Sequence, residues 1–548
     1  MWDGSLLLEP SWSHDPSTGV CSTPVTHDIT ALYLDGDLMT AARWPNALWS
    51  DKTIFNSSFW RPTQAGSERG VVVDEELSQS GLDMTGAMAV LNIGSWETFV
   101  AEVDSHEVGS DQFTYNDTFG DIKFVVAHNR YYLEGSLALL DAPEEWVYDR
   151  ASRLLHLIPP VGRTCADLTH LRGRVQDRAL TITASSNITI ANITFFSSNI
   201  HAQGQANILL DSLDFVFPSS SHRMVGSTAP PLATHMDVQE GGTVVNCTFH
   251  GGEGEALVIT GYHGLFTNNL FTYNDWAVQG NIGTVMSKCH DCTFSHNTLR
   301  YNGAAHGLRY TGRGDTIEMN HFTGQCSGTI QNDGASIQVS PGAQHGVTVR
   351  YNWVHKSPKK GIRFDGNGVG NGCGRGAYLG YNVGWAVHGN AELAPKGDNH
   401  SIEHNTAIDT DSDCSLCVYT HKGDAPMNEN SEVLNNAATV LEGGGGLVRH
   451  NYAGMDLTDH LVDPASLDFR PVAGGPLELG EGRFIGAYGA AEATYWIPGR
   501  SSYRASRPIP GDGGTLARAR AASDALICLL GYRAARSHFY LGTDRWLP

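Results

Sequence analysis

The sequence predicts an all-β fold organised as a parallel β-helix, and three observations carry that prediction. First, an asparagine followed within two residues by an apolar residue recurs from about residue 185, as in NITFFSSN at 192, NCTFHGG at 246, NLFTYND at 269, NTLRYNG at 297, NHFTGQC at 320, NWVHKSP at 352, NVGWAVH at 382, NTAIDTD at 405 and NYAGMD at 451. Second, the copies from Asn246 to Asn405 are spaced 23, 28, 23, 32, 30 and 23 residues apart, a scatter that places insertions between conserved-length strands. Third, the intervening runs ALVIT, GLRYT, SIQVS and GIRFD alternate in the period of a strand and are punctuated by glycine, of which there are 62 in 548 residues.

Helical repeats hold a tighter period and show apolar residues at 3.6 spacing. A unit of about 23 residues built from short strands and turns is one rung of a β-helix. The recurring asparagine reads as a turn residue that accepts left-handed φ and hydrogen-bonds to its copy on the next rung.

The elements fall into three parts. Residues 1–165 form an N-terminal β-rich region: LYLDGDLMTAARWPNA at 32–47 and YYLEGSLALLDAPEEWVYDRASRLLHLIPP at 131–160 read as strand-turn-strand pieces that cap the helix. Residues 166–465 are the rungs. Residues 466–548, with YWIPGRSSYRASRPIPGDGG, read as a linker and tail rich in Pro, Gly and Ser.

Composition narrows the partners. A formal net charge of -22, with no basic tract, argues against nucleic acid and anionic membrane, and no run reaches the roughly 18 apolar residues of a spanning helix. The opening MWDGSLLLEP lacks the basic and apolar regions of a signal peptide, so a processed or incomplete N-terminus is expected. Six Asn-x-Ser/Thr sequons, at Asn56, Asn116, Asn187, Asn192, Asn246 and Asn399, point to secretion. Ten cysteines then read as disulfides or buried thiols, the pairs Cys289/Cys292 and Cys414/Cys417 lacking the second half of a zinc site. No Walker sequence, GxSxG, HExxH or dinucleotide fingerprint occurs, so no cofactor is expected; a divalent cation such as calcium stays open.

Because alternate residues of a strand face opposite sides, the rungs can be aligned by inward apolar pairs such as Leu308/Tyr310, Ile337/Val339, Ile362/Phe364, Leu393/Pro395 and Val418/Thr420. Two outward columns result. One runs Val258, Gln279, Arg309, Gln338, Arg363, Ala394, Tyr419; the other runs Thr260, Asn281, Thr311, Ser340, Asp365, Lys396, His421, and Glu392 falls one outward position before Ala394. At about 4.8 Å per rung, Asp365, Lys396 and His421 come within reach of one another beside Arg309 and Arg363. His306 and Asp333, at the entries of their strands, reach the same face. Lys359, Lys360 and His400 read as turn residues.

These rungs, with DGASIQ, KGIRFDG and KGDNHSIEHNTA, resemble the right-handed parallel β-helix proteins of the pectate-lyase-like superfamily, which includes extracellular polysaccharide lyases, glycoside hydrolases and epimerases. The resemblance implies a polysaccharide or glycan as partner. Neither the aspartate constellation of polygalacturonases nor the calcium-binding carboxylates of pectate lyases can be placed on these residues.

A lyase reading assigns Arg363 and Arg309 to neutralise a uronate carboxylate and Lys396 or His421 to remove the proton. A glycosidase reading pairs Asp365 with Glu392 or Asp333. In either, Lys396, Asp365, His421 and Arg363 are the catalytic candidates, and Arg309, Gln338, Glu392, Asp333, His306 and Tyr419 the substrate-binding ones. A third reading is a non-catalytic glycan-binding or structural protein, in which the cluster is a set of cross-strand ion pairs.

Overall fold

A computed structural model describes residues 1–504 apart from 95–96, 121–123, 127, 278–282, 327–332, 367–373, 409–413, 481–482 and 490–494. The rungs form a parallel β-helix, most contributing three strands, the first two being continuous in Asn199–Asp211. One rung is His306–Tyr310, Thr316–Glu318 and His321–Thr323; the next is Ala335–Val339, Thr348–Arg350 and Trp353–Ser357; then come Lys360–Phe364, Tyr378–Gly380 and Val383–Val387. First and second strands of the rungs merge into one 21-stranded sheet, and the third strands form a 12-stranded sheet. Stacking is parallel and in register: Leu308, Ile337, Ile362 and Leu393 follow one another in the core, with no exposure. Fully burying a side chain of that size is worth about 1.5–3 kcal/mol, and every rung repeats it. Phe195, Phe215, Phe249 and Phe271 continue the core as a stack with centroids 5.2, 4.8 and 4.8 Å apart.

A second ladder is polar. Asn269, Asn297, Asn320, Asn352, Asn382, Asn405 and Asn436 have no exposure and sit between the second and third strands. Asn320 Nδ2 donates to Asn352 Oδ1 at 3.0 Å and to the Phe294 carbonyl at 2.8 Å, and its backbone N–H donates to the same Asn352 oxygen at 2.9 Å. Other rungs repeat the pattern, which satisfies buried backbone groups that the turn would otherwise orphan. At Asn192 and Asn246 the recurring asparagine is itself left-handed, with φ of 59°, as expected from sequence; from Asn269 onward the left-handed residue is instead the predecessor of the ladder asparagine. Asn268, His296, Met319, Tyr351, Tyr381 and His404 have φ of 54–58°. Turning at that residue leaves the following asparagine free to point inward. The predecessors point out and stack: Tyr351 on Tyr381 at 5.0 Å and Tyr381 on His404 at 4.9 Å.

The N-terminal region is antiparallel, with Met88–Gly94, Glu97–His106, Gln112–Tyr115 and Arg130–Glu134 in one sheet. It covers the start of the helix in two ways. Trp2 and Asp3 pair parallel with Phe195 and Phe196, closing an open sheet edge. The buried Arg223 guanidinium joins Glu134 of this region to Glu253 of the rungs. Past the last rung, Leu457, Phe469 and Tyr488 pack on Trp353 and Val383. The stretch around Tyr495 to Arg500, read from sequence as linker, is seated on the helix: Arg500 Nη1 donates to Thr248 Oγ1 at 2.8 Å and Nη2 to the Asn246 carbonyl at 2.9 Å.

Disulfides join Cys21 to Cys165, Cys289 to Cys292 and Cys414 to Cys417, while Cys247 and Cys326 are buried thiols. Cys373 and Cys528 lie outside the described residues. Among the described residues no helix is long and apolar enough to cross a membrane.

Replacing Asn352 by Ala leaves the Asn320 side-chain and backbone donors without their acceptor in the interior. The expected cost is about 2–4 kcal/mol, from about 1–3 kcal/mol per buried group left unsatisfied. Thermal melting followed by circular dichroism checks it; an unchanged midpoint would show that the ladder is dispensable.

Candidate active site on the long-strand face

The longest strand of each rung presents the candidate site. Register confirms the central part of the first column: Arg309 pairs with Gln338, Gln338 with Arg363 and Arg363 with Ala394. Both ends of the two columns are corrected. Gln279 and Asn281 lie outside the described residues, and their places beside Arg309 and Thr260 are taken by Met286 and Lys288. At the other end Leu393 pairs with Leu416, so the inward pair is Leu416/Val418, shifted two residues from the sequence alignment. Both are apolar and buried, and alternation around Cys417 sets the register. Tyr419, not His421, therefore follows Lys396, and its backbone N–H donates to the Pro395 carbonyl at 3.3 Å. His421 is exposed in a small hairpin with Pro426 and leaves the cluster.

Glu392 is also corrected. It is fully buried, and a Cβ added at Gly384 would lie 2.7 Å from its own Cβ, so it points into the helix interior rather than outward. The chain bends at this register position. A Cβ at Gly361, one rung earlier, would meet Val354 of the opposite wall at 2.9 Å, and one at Gly307 would meet Phe322 at 3.1 Å. Strict alternation fails at the corner, and two successive residues face inward.

What remains converges on Arg363, which is buried at 4% exposure. Its Nε donates to Gln338 Oε1 at 2.5 Å, one arm is ion-paired with Asp333, and Nη2 lies 3.6 Å from Asp365 Oδ2. The two carboxylates thus stand on the two arms of one guanidinium, their side chains exposed by 34% and 33%. Asp365 is fixed on every side. Gln338 Nε2 donates to Oδ2 at 3.2 Å, and Lys396 Nζ and the Gly366 N–H donate to Oδ1 at 3.3 and 3.0 Å. Its carbonyl accepts from Gln344 Nε2. Lys396 Nζ also lies 5.3 Å from the centre of the Tyr419 ring.

The electrostatics follow from this packing. Burial raises the Asp365 carboxyl, but Arg363 and then Lys396 outweigh it and hold it below the usual carboxylate range. Asp333 is likewise raised by burial and brought below that range by Arg363 and the Gly334 N–H at 2.9 Å. His306 is buried, and its Nδ1 accepts from the Ala335 N–H at 3.1 Å; burial, Arg363 and Arg309 push it down to about 3, so it is a neutral ring beneath the site. Burial and neighbouring Arg363 lower Lys360.

Three contributors were missed in the sequence. Lys360 opens the same strand as Arg363, yet its place behind Pro358 disguised it as a turn lysine. Gln344 comes from a short insert between strands. Glu97 comes from the N-terminal sheet, and its charge, with that of Asp365, favours the Arg309 guanidinium against its burial. His400 is buried and holds the turn after Lys396, its Nε2 3.2 Å from the Lys396 carbonyl. Among the described residues no three His, Cys, Asp or Glu side chains converge as a metal-ligand set.

No family model and no curated protein sequence matches the chain. Solved structures do resemble it. A glycoside hydrolase shares 13% identity over 82% of each chain with a TM-score of 0.48. XylC, in complex with xylose, shares 11% over 84% of this chain and 76% of its own, with a TM-score of 0.42. The catalytic unit of a thermostable GH87 alpha-1,3-glucanase from Streptomyces thermodiastaticus strain HF3-3 shares 10% over 82% of this chain and 96% of its own, with a TM-score of 0.27. The likeness is one of fold.

Replacing Arg363 by Met removes the cation between Asp333 and Asp365. Breaking a fully buried pair costs about 3–5 kcal/mol, and with both carboxylates one-third open to solvent the expected loss is about 1–3 kcal/mol. Urea titration measures it, and full stability in the variant would show that the cluster does not depend on Arg363.

Proposed function

We propose that this chain is a secreted carbohydrate-active enzyme that hydrolyses glycosidic bonds of a polysaccharide lying along the long-strand face. The observation that carries the reading is the pair of solvent-reachable carboxylates, Asp333 and Asp365, set on opposite arms of the buried Arg363. Glycoside hydrolysis needs two carboxyl groups, one to attack or to activate water and one to protonate the leaving oxygen. Asp365, oriented by Gln338, Gly366 and Lys396, suits the first role because an ionised, fixed oxygen is what attack requires. Asp333, held by Arg363 and the Gly334 N–H with Lys360 nearby, makes fewer direct contacts than Asp365 and is the proton donor. Three disulfides and six sequons support secretion.

Elimination on a uronate polymer is the second reading, favoured by one observation. The Arg309 guanidinium makes no hydrogen bond or ion pair among the described residues, and Lys360, which opens the strand of Arg363, is held below the usual lysine range by burial and Arg363, as a base should be.

The two chemistries have opposite pH dependence. Hydrolysis needs Asp333 protonated, and because Arg363 lowers that carboxyl, kcat/KM should rise as pH falls below neutrality until Asp365 protonates as well. Elimination needs Lys360 neutral, so its rate should rise with pH. The test is incubation with neutral and acidic polysaccharides, following new reducing ends and the absorbance of unsaturated uronides. Reducing ends alone, with a fall of about 10²–10⁴-fold in Asp365→Asn, are expected. Unsaturated product selects elimination, and binding without turnover on every polymer selects a non-catalytic glycan-binding protein.

A further inference from the structure

The site leaves unused a cleft of about 610 Å³ on the N-terminal sheet, within the range of ligand pockets. It runs along the strand Glu97–His106 and is closed on one side by Thr228 and Pro230, in the loop that leads into the rung strand Thr234–Glu240. Phe99 and Phe119 stack within it, their centroids 4.6 Å apart and their planes at 27°. Glu97, Glu102 and Asp104 line it as well, and its described lining contains no lysine or arginine.

Each feature selects a ligand chemistry. Stacked, half-buried rings offer an apolar platform to the C–H face of a sugar ring, and ionised carboxylates accept hydrogen bonds from hydroxyl groups. Glu102 and Asp104, with no lysine or arginine in the described lining, repel an anionic chain. Position matters equally. Glu97 belongs both to this cleft and to the surroundings of Arg309, which its charge favours, so the cleft adjoins the Arg309 end of the long-strand face. We infer that the cleft is an accessory subsite for a neutral glycan, holding the part of the polysaccharide that extends past Arg309. This rests on the reading of the chain as a polysaccharide hydrolase and deepens it: the polymer is neutral, not a uronate.

The test uses the full chain made in a host without N-glycosylation, so that the sequon residue Asn116 in the cleft wall carries no glycan of its own. Xylan, laminarin, an α-1,3-glucan and polygalacturonate are the probes in affinity gel electrophoresis, with Phe119→Ala and the shape-preserving Glu102→Gln as variants whose melting is checked first. Retardation by at least one neutral polymer and not by polygalacturonate is expected, weakened about tenfold in Phe119→Ala and at least threefold in Glu102→Gln. On the polymer that is cleaved, Phe119→Ala should raise KM by the same factor and leave turnover of a short aryl glycoside unchanged. Retardation by polygalacturonate alone, or by no polymer, overturns the inference, as does unchanged retardation in both variants. If the wild type is retarded as expected and cleaves nothing, the subsite stands and the hydrolase reading fails; if it cleaves neutral polymers while both variants bind as it does, the reverse holds.

Discussion

Everything in this molecule depends on rungs stacking in register. A parallel sheet cannot close its own turns with backbone hydrogen bonds alone, and at the corner between second and third strands the buried asparagines do so instead. Each side chain bonds backbone on one rung and asparagine on the next, so a slip by one residue would break both sets together. That constraint fixes which residue of each rung faces out, and the long-strand face inherits its order from it. Arg363 meets Gln338 because the asparagines two strands away are aligned.

The fold was legible because this constraint is written periodically. Asparagine spacing and alternating apolar runs suffice to identify rungs even where inserts vary in length, and the register through Arg309, Gln338 and Arg363 could be read from apolar pairs alone. Two kinds of feature escaped. Corners break alternation, which is why Glu392, outward by counting, lies inside against Gly384. Ambiguous apolar runs shift register: in Leu416 to Thr420 two alignments keep a β-branched or apolar residue inward, and only packing chose Leu416 and Val418, removing His421 from the site. Contributions from other segments, such as Glu97 and Gln344, leave no local signal at all.

The candidate site shows how an acidic protein keeps cations where they are useful. With a net charge of -22, a mobile lysine or arginine would find many partners. Burial of Arg363 and the two-sided grip of Asp333 and Asp365 hold it in one orientation, and Asp365 is in turn kept ionised and aimed. Breaking either side would loosen the other, so the polar cluster behaves as a unit rather than as separate pairs.

One feature of the stacking bears on how such a protein changes over time. Because each rung supplies one side chain to the outer column and its own share of core and asparagine ladder, a duplicated rung would add one step of about 4.8 Å to the long-strand face and leave its neighbours' packing intact. The length of polymer gripped can therefore drift separately from the chemistry at Arg363, much as a ruler is extended without moving its zero.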